Sequence, residues 1–350
     1  MARPRPIATP NNTVMAGSAK DVLRPFRQAL YHDAANAGDV VRASFAPNAP
    51  ARLCFPFETM EGGTGFWDNA LAPLAAAWPD LERRDHILIE GQDEAGATWV
   101  GSGGYYCGTF FAPFLGIPPT GHVAHMRFHE FFRIEAGQVV EMQALWDLPE
   151  VMMQAGVWPM VPSLGREMHI PGPASGDGLG PHDPAQSLTS RQHIIDMLTA
   201  MQRHPSQGGP EVMELEKFWH PKFMWYGPSG IGTGRGVDGF RRHHQIPFLS
   251  AMPDRGSRRD EITFHFMAEG NYAGVTGWPD MAQTLTHGGW LGIAPAGQTL
   301  EMRSLDFWRL EDGLIRENWV LVDLLHVYDQ LGVDVFARMK ERIPWTSASA

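Results

Sequence analysis

The order of hydrophobic and polar positions predicts the same series of elements twice along the chain. Apolar residues at helical spacing predict helices over 19–37 and 188–203, and a second helix follows in each half, over 64–77 and 237–251. Each half is therefore predicted to be α+β, with helices first and then an antiparallel sheet that they cover. Alternating runs place the strands of that sheet at 84–90, 97–106, 122–134 and 138–146, and at 259–268, 271–278, 298–310 and 314–322.

The two halves also share sequence, which indicates an internal duplication. Residues 134–157 and 310–333 lie 176 positions apart and are identical at 10 of 24 positions. Upstream the offset falls slightly, since Pro79-Asp80 pairs with Pro253-Asp254 at 174. A repeat of this length is a whole domain written twice, because solenoid units are only about 20 to 50 residues long.

The repeat divides the chain into an arm, two domains and a linker. Residues 166–187 include a run of proline, glycine and small polar residues that cannot bury a core, so we expect a linker there. Residues 1–17 have the same character and are predicted to be a flexible arm. The first domain is then expected over 18–165 and the second over 188–345.

Composition and charge exclude several classes of protein. The chain of 350 residues is 43% hydrophobic and has a net charge of −11, so neither disorder nor binding to a phosphate backbone is indicated. No apolar run is long enough for a membrane span, and no signal peptide is evident, so we expect a cytoplasmic protein. With only Cys54 and Cys107, a disulfide framework and a four-thiolate zinc site are both excluded.

The second copy resembles the SnoaL-like polyketide cyclases of the nuclear transport factor two-like superfamily. The resemblance rests on WHPKFMWYGP, on GTGRGVDGFRRHH leading to SAMPD, and on GQTLEMRSLDFWRLEDGLIRENWVLVD over about 190–335; the first copy resembles the family more weakly over 20–160. It implies two tandem cone-shaped domains, each a curved antiparallel sheet wrapped by helices around an apolar cavity. Members of this superfamily include cyclases, isomerases, dehydratases and binding proteins, so the fold alone does not assign a function.

The chain departs from the family at the residue that usually performs the chemistry. The resemblance implies a catalytic aspartate after a His-Trp pair on the last strand, where this chain has Val320 and, in the first copy, Ala144. Neither side chain can take up a proton. The position of a histidine in the aldol cyclase matches Asp306 and Glu130, which are acids instead.

Those two acids are the strongest candidates for catalysis. By strand alternation, Glu130 shares a face with Met126 and Phe128, and Asp306 shares a face with Met302 and Trp308. A carboxyl group on an apolar face has a raised pKa and can exchange a proton near neutral pH. The alternative is a structural ion pair with an arginine or an acid at a solvated strand end.

Other side chains are candidates for polarising or binding a substrate. Tyr226 could direct its hydroxyl at a substrate oxygen, and His243 or the adjacent His244 could act as a general base. Core packing and a favourable place at the end of a helix are the alternatives for these residues. The expected substrate-binding residues are Trp225, Met302, Trp308, Trp319, Val320, Phe128 and Met126.

The sequence favours structural roles for two further acids and for two neighbouring histidines. Asp147 and Asp323 each precede a predicted short helix, where an aspartate caps the free amide groups. His125 and His129 share a strand face with Arg127 between them, and that cation disfavours a metal site.

Two functions remain open. The first is a lyase, isomerase or cyclase that needs no cofactor or metal and acts on a small, mostly apolar carbonyl compound. The second is a non-catalytic protein that binds a small molecule in the same cavity. We expect no nucleic acid or membrane partner.

The repeat also predicts an intramolecular pseudo-dimer, because duplicated domains commonly pair with twofold symmetry. The two sheets are expected to pack by their outer faces, with His125, Arg127 and His129 meeting Glu301, Arg303 and Leu305. Further homo-oligomerisation remains open.

Overall fold

The two copies share one order of elements, in which two strands lie between the first helices and the second helix and the remaining strands follow. The computed structural model describes residues 17–255 and 257–343; residues 1–16 of the expected arm lie outside that range. The first copy contains α1 (Ala19–His32), α2 (Gly38–Ser44), β1 (Pro50–Leu53), β2 (Glu58–Glu61), α3 (Gly62–Phe66), α4 (Ala72–Ala77), β3 (Glu82–Gln92), β4 (Thr98–Thr109), β5 (Val123–Glu135), β6 (Gln138–Trp146) and α5 (Leu148–Gln154).

The second copy repeats this order, except that α2 is represented only by 3-10 turns, β4 and β5 are each divided into two strands, and one further short helix follows at the end. Its elements are α6 (Ser187–Met201), β7 (Trp219–Tyr226), β8 (Gly234–Arg235), α7 (Gly236–Phe240), α8 (Ile246–Ala251), β9 (His265–Glu269), β10 (Tyr272–Thr276), β11 (Met281–Thr284), β12 (Thr299–Met302), β13 (Ser304–Glu311), β14 (Leu314–Val322), α9 (Leu324–Gln330) and α10 (Val335–Lys340). A π-helical turn joins α3 to α4 and α7 to α8, so each pair forms one continuous helix. The strand β4 of the first copy corresponds to two separate strands, β10 and β11.

The local sequence explains where these elements begin. The Ser18 hydroxyl accepts a hydrogen bond from the Lys20 amide and caps α1, whose residues Leu23, Phe26 and Leu30 are buried on one face. Asp147 and Asp323 cap α5 and α9 as expected, each accepting from the amide three residues later.

Each sheet contains one parallel pair of strands, whereas a fully antiparallel sheet was expected. Their strand orders are β2-β1-β6-β5-β4-β3 and β8-β7-β14-β13-β10-β9. Four strands are antiparallel neighbours in each sheet, but β1 runs parallel to β6 and β7 runs parallel to β14. These short strands follow the first helices in sequence, and the periodicity of such short runs did not identify them. The fold is therefore α+β with two mixed six-stranded sheets.

The outer faces of the two sheets pack against each other around an approximate twofold axis. Phe131 stacks on Phe307, its counterpart 176 positions later, with ring centroids 4.8 Å apart. Asp147 accepts from the Ser229 amide at 3.0 Å, and Asp323 accepts from the Phe55 amide at 2.9 Å. Contacts that repeat with the copies exchanged are the signature of a twofold interface.

One expectation about this interface is wrong. Glu301 does not meet the histidines of the first copy, because it is exposed and its backbone bonds to Gln330. Nδ1 of His129 instead lies 2.6 Å from the carbonyl oxygen of Leu305. Burial and the charge on Arg127 lower the pKa of His129 to about 3, so its ring is neutral and donates this bond.

The segment between the domains is packed rather than free. The backbone of Arg166 bridges to Thr233, and the Trp319 indole donates to the Pro171 carbonyl at 3.0 Å. The Leu88 amide of the first copy donates to Gly178 at 2.8 Å. The segment therefore contacts both copies. None of the helices in the described segments has the length and apolar character needed to span a bilayer.

Candidate active site

The second domain encloses a cavity of about 340 Å³ between its helices and the inner face of its sheet. A cavity of this size suits a small molecule. Most of its walls are apolar and aromatic, and the polar groups are concentrated near β11 and β13. The lining residues used below are Trp219, Trp225, Phe240, His244, Arg255, Arg258, Asp280, Trp308, Asp306, Val320 and Asn318.

Asp306 faces this cavity from β13, as the strand alternation predicted. It is paired across the sheet with Val320, so the acid lies one strand away from the position of the usual family aspartate. The Ser304 hydroxyl donates to Asp306 at 2.7 Å. Burial raises the pKa of Asp306 to about 7, against the opposing effects of this bond and of the charge on Arg255.

Asp280 is a second carboxyl group in the same wall, and the sequence did not reveal it. The Ser304 amide donates to Asp280 at 2.7 Å, so Ser304 holds both acids, one through its amide and one through its hydroxyl. Burial and the neighbouring charge of Asp306 raise the pKa of Asp280 well above its usual range. Two interacting carboxyl groups of this kind share protons and titrate as a pair.

An insertion in the second copy places Asp280 in the wall. Gly101 and Gly274 occupy equivalent positions opposite Phe131 and Phe307, and Tyr106 and Met281 are equivalent opposite Met126 and Met302. Gly101 and Tyr106 are five positions apart in the first copy, whereas Gly274 and Met281 are seven positions apart in the second copy. The two extra residues interrupt the strand between β10 and β11, and Asp280 lies in that interruption. The small change of offset along the repeat was the only sequence signal for it.

The described basic side chains lie further from these two acids than ion-pair distance. Among residues 17–255 and 257–343, no Lys, Arg or His nitrogen forms an ion pair with Asp280 or Asp306 within 4.0 Å, although the side chain of Arg259 is not described. Arg258 lines the cavity but pairs with Glu261 at 2.9 Å. Arg255 lines it as well and influences both acids through its charge.

His244 contributes to the aromatic wall instead of His243. Its ring stacks on Trp225 with centroids 4.3 Å apart. Burial, with a smaller effect of Arg255, lowers the pKa of His244 to about 3, so its imidazole is neutral at physiological pH. His243, the residue favoured from the sequence, is not among the residues that line the cavity.

Glu130 forms a structural ion pair with an arginine, which was the alternative to a catalytic role. It is fully buried, and Arg83 donates to it at 2.6 Å. The Tyr106 hydroxyl donates at 3.1 Å and the Trp146 indole at 2.9 Å. Arg83 also lies over the Phe128 ring, 4.0 Å from its centroid. The acid is sealed in a paired network, and Met126 and Phe128 belong to the buried core around it.

Tyr226 and Trp319 face away from the cavity. The Tyr226 hydroxyl donates to Glu317 at 3.3 Å, and its ring packs on Trp319 at 5.4 Å between centroids. Both therefore support the linker side of the sheet, and this placement removes the basis for the roles expected of them. Trp225, Trp308 and Val320 do line the cavity, and Met302 lies behind it, where its sulfur accepts from Gln283.

The described residues contain no group of three or more His, Cys, Asp or Glu side chains arranged to hold a metal ion. The chemistry available in the wall is that of the two carboxyl groups, Arg255 and neutral donors. Such a set can move protons and bind oxygen atoms.

The family model for SnoaL-like polyketide cyclases matches the sequence twice, over residues 27–155 and 195–331. Similar solved structures include IdmH from Streptomyces antibioticus, a candidate polyketide cyclase, with 22% identity and a TM-score of 0.34 over 40% of this chain and 99% of that chain. A candidate SnoaL-like cyclase from Jannaschia sp. CCS1 has 23% identity and a TM-score of 0.34 over 39% and 89%. TsrD from Streptomyces laurentii has 20% identity and a TM-score of 0.33 over 39% and 93%. No curated protein matches the sequence.

Proposed function

Because the chain belongs to the SnoaL-like polyketide cyclase family, we propose that its second domain is a cofactor-independent acid–base enzyme. Its substrate is a small, mostly apolar carbonyl compound, and the reaction is of the cyclase, isomerase or lyase type. The observation that carries this proposal is the placement of Asp306, a buried carboxyl group with a raised pKa, in the wall of a 340 Å³ cavity.

Asp306 serves as the base in this proposal. Its carboxylate removes a proton from the carbon next to the substrate carbonyl, and the electron pair of that C–H bond becomes an enolate. Asp280, whose pKa burial and the neighbouring Asp306 raise well above its usual range, is the proton-bearing partner and donates a hydrogen bond to the enolate oxygen. Return of the proton from Asp306 to carbon or to a leaving oxygen completes the isomerase or lyase step. In the cyclase step the enolate carbon attacks a second carbonyl, whose π electrons move to its oxygen, and that alkoxide takes the proton from Asp306.

The pairing of Asp306 with Val320 supports this assignment. The two side chains are cross-strand partners and both line the cavity. A carboxyl group on β13 can therefore serve the volume that an aspartate at 320 would serve from β14. The absence of an acid at 320 is also the observation that favours the alternative, a binding protein without turnover.

Exchange of α-hydrogens on simple aromatic ketones tests the proposal. The protein is incubated in D2O with 2-tetralone and 2-acetylnaphthalene, and loss of the α-proton signals is followed by 1H NMR. We expect acceleration of at least one ketone, with a rate that rises with pH through about 7 as Asp306 ionises.

Matched variants decide the role of Asp306. Asp306→Asn should lower the exchange rate by about 100-fold or more, since a positioned base typically contributes 10²–10⁴. Arg258→Gln, which changes an ion-paired residue of the same cavity, should keep the rate within about threefold of wild type. Unchanged exchange in Asp306→Asn would remove Asp306 from the mechanism, whereas saturable binding of intact ketone with no exchange would support the binding protein.

A further inference from the structure

Arg255 lies between two neighbouring spaces of the second domain. It lines the 340 Å³ cavity and also an outer groove of about 490 Å³. Thr199 and Gln202 are the other residues that line both spaces. A molecule that passes from the groove into the cavity must therefore pass these three side chains.

The counterpart of Arg255 in the first copy is a buried leucine. Asp80 accepts from the amide and the hydroxyl of Thr109, and Asp254 accepts from the same two groups of Thr284, so the two aspartates are equivalent. Asp80 is followed by Leu81, which is 4% exposed, and Asp254 is followed by Arg255, which is partly buried. The scaffold therefore accepts an apolar side chain here, and the charge of Arg255 is not needed to form it.

Arg255 also differs from the buried arginines of this protein. Arg83, Arg127, Arg303 and Arg309 each have a carboxylate oxygen within 3.2 Å. Within the described parts of the chain, Arg255 has no carboxylate within 4.0 Å; its guanidinium lies 5.8 Å from the Phe248 ring centroid. Burial lowers the pKa of Arg255, which reflects a charge that the surroundings compensate only in part.

We propose that Arg255 binds a carboxylate of the ligand, so that this cavity takes an aromatic or polycyclic acid with its apolar body among Trp219, Phe240 and Trp308. The guanidinium would bind the two carboxylate oxygens, a geometry that arginine favours. This inference rests on the proposed function only in assigning a substrate class to the same cavity.

Paired probes test the charge requirement directly. The ligands are 2-naphthaleneacetate and its neutral amide, 2-naphthaleneacetamide, and binding to the full-length protein is measured by isothermal titration calorimetry at pH 6. We expect the wild type to bind the acetate at least tenfold more tightly than the amide. Equal binding of the two, preference for the amide, or no binding of the acetate would overturn the proposal.

Arg255→Leu is the decisive variant, because it introduces the side chain that the first copy carries. It should lose at least tenfold in affinity for the acetate while its affinity for the amide changes less than threefold. Arg255→Gln should do the same and serves if the leucine variant does not fold. Arg242→Gln, which changes an exposed arginine of the same domain that lines neither space, should change both affinities by less than threefold. Acetate binding that persists in Arg255→Leu or in Arg255→Gln would contradict the proposal.

The two proposals can fail separately. Exchange of neutral ketones depends on Asp306 and does not need Arg255, so its success with equal binding of acetate and amide would remove only the carboxylate subsite. Arg255-dependent acetate binding in a protein that exchanges no α-hydrogen would remove only the acid–base enzyme.

Discussion

The two cones of this protein share one scaffold but treat the same acid in opposite ways. Glu130 and Asp306 are equivalent, as are their cross-strand partners Ala144 and Val320. In the first cone the acid is held by an arginine, a tyrosine and a tryptophan. In the second it faces a cavity and keeps a raised pKa.

The residues around each acid explain this difference. Across the inner face, Phe128 is replaced by Ser304, Trp146 by Val322, Tyr106 by Met281 and Ser102 by Val275. Two large aromatic side chains thus become small ones, which opens space. The donors Trp146 and Tyr106 are lost with these changes. Arg258, which matches Arg83 in the repeated sequence Arg-Arg-Asp at 83–85 and 258–260, pairs with Glu261 instead of with the acid.

The comparison shows that the fold can accommodate a buried carboxyl group in two ways. Neutralised by a buried arginine, it becomes part of a packed core, and removal of either partner is costly. Left beside a cavity, it has a raised pKa and can exchange a proton near neutral pH. We therefore assign the scaffold role to the first cone and place the proposed chemistry in the second.

The largest expected effect is a loss of stability in the first cone. Arg83→Met leaves Glu130 buried without its cation and should lower the free energy of unfolding by about 3–5 kcal/mol. Urea denaturation measures it. The matched change in the second cone, Arg258→Met, should cost less than about 0.5 kcal/mol because its ion pair is at the surface. A loss below about 1 kcal/mol in Arg83→Met would contradict the compensated role of Glu130.

A second change converts the open cone toward the closed one. Ser304→Phe combined with Val322→Trp introduces the aromatic residues of the first copy and should reduce affinity for 2-naphthaleneacetate by more than tenfold. Calorimetry measures this, and a thermal melt checks that the protein is folded. Ser304→Thr, which keeps the hydroxyl and adds one methyl group, is the control. Undiminished binding in the double variant would place the ligand outside this cavity.

A smaller effect concerns the pH dependence of stability. The folded pKa of Asp306 is raised from 3.8 to about 7, so the folded state holds a proton that the unfolded state releases above about pH 4. This contribution therefore falls as pH rises from about 4 to 7 and is constant above 7. Asp306→Asn removes it and should be more stable than wild type by about 1–3 kcal/mol at pH 8, with little difference at pH 4.

Urea denaturation across this pH range measures the difference. A difference that stays constant with pH would mean that Asp306 titrates normally in the folded protein. Arg258→Gln again serves as the control, because its stability should follow the pH dependence of wild type.

Much of the fold could be predicted because its determinants are local or repeated. Helical spacing, strand alternation and the duplication gave both copies, the caps at Asp147 and Asp323 and the inward direction of Asp306. β1 has only four residues, and β7 contains Pro221 and does not alternate between buried and exposed positions, so neither gave a periodic signal and the parallel pair in each sheet was missed.

For the candidate site, too, the strand face of each acid could be predicted, but its contacts with residues distant in sequence could not. Alternation places Glu130 and Asp306 on equivalent inner faces, but it cannot say which of them meets an arginine, since Arg83 is distant in sequence from Glu130. Tyr226 and His243 were candidates by residue type, and their directions depended on how β7 and the π-helical turn between α7 and α8 pack.

The sequence by itself determined a duplicated domain and the two acids that face inward, because repeats and alternation are properties of neighbouring residues. Only the tertiary structure decided that one acid is neutralised and the other faces a cavity with Asp280 and Arg255. Those outcomes depend on contacts between distant strands and on a two-residue interruption, and the free energy of a buried charge depends on which groups surround it.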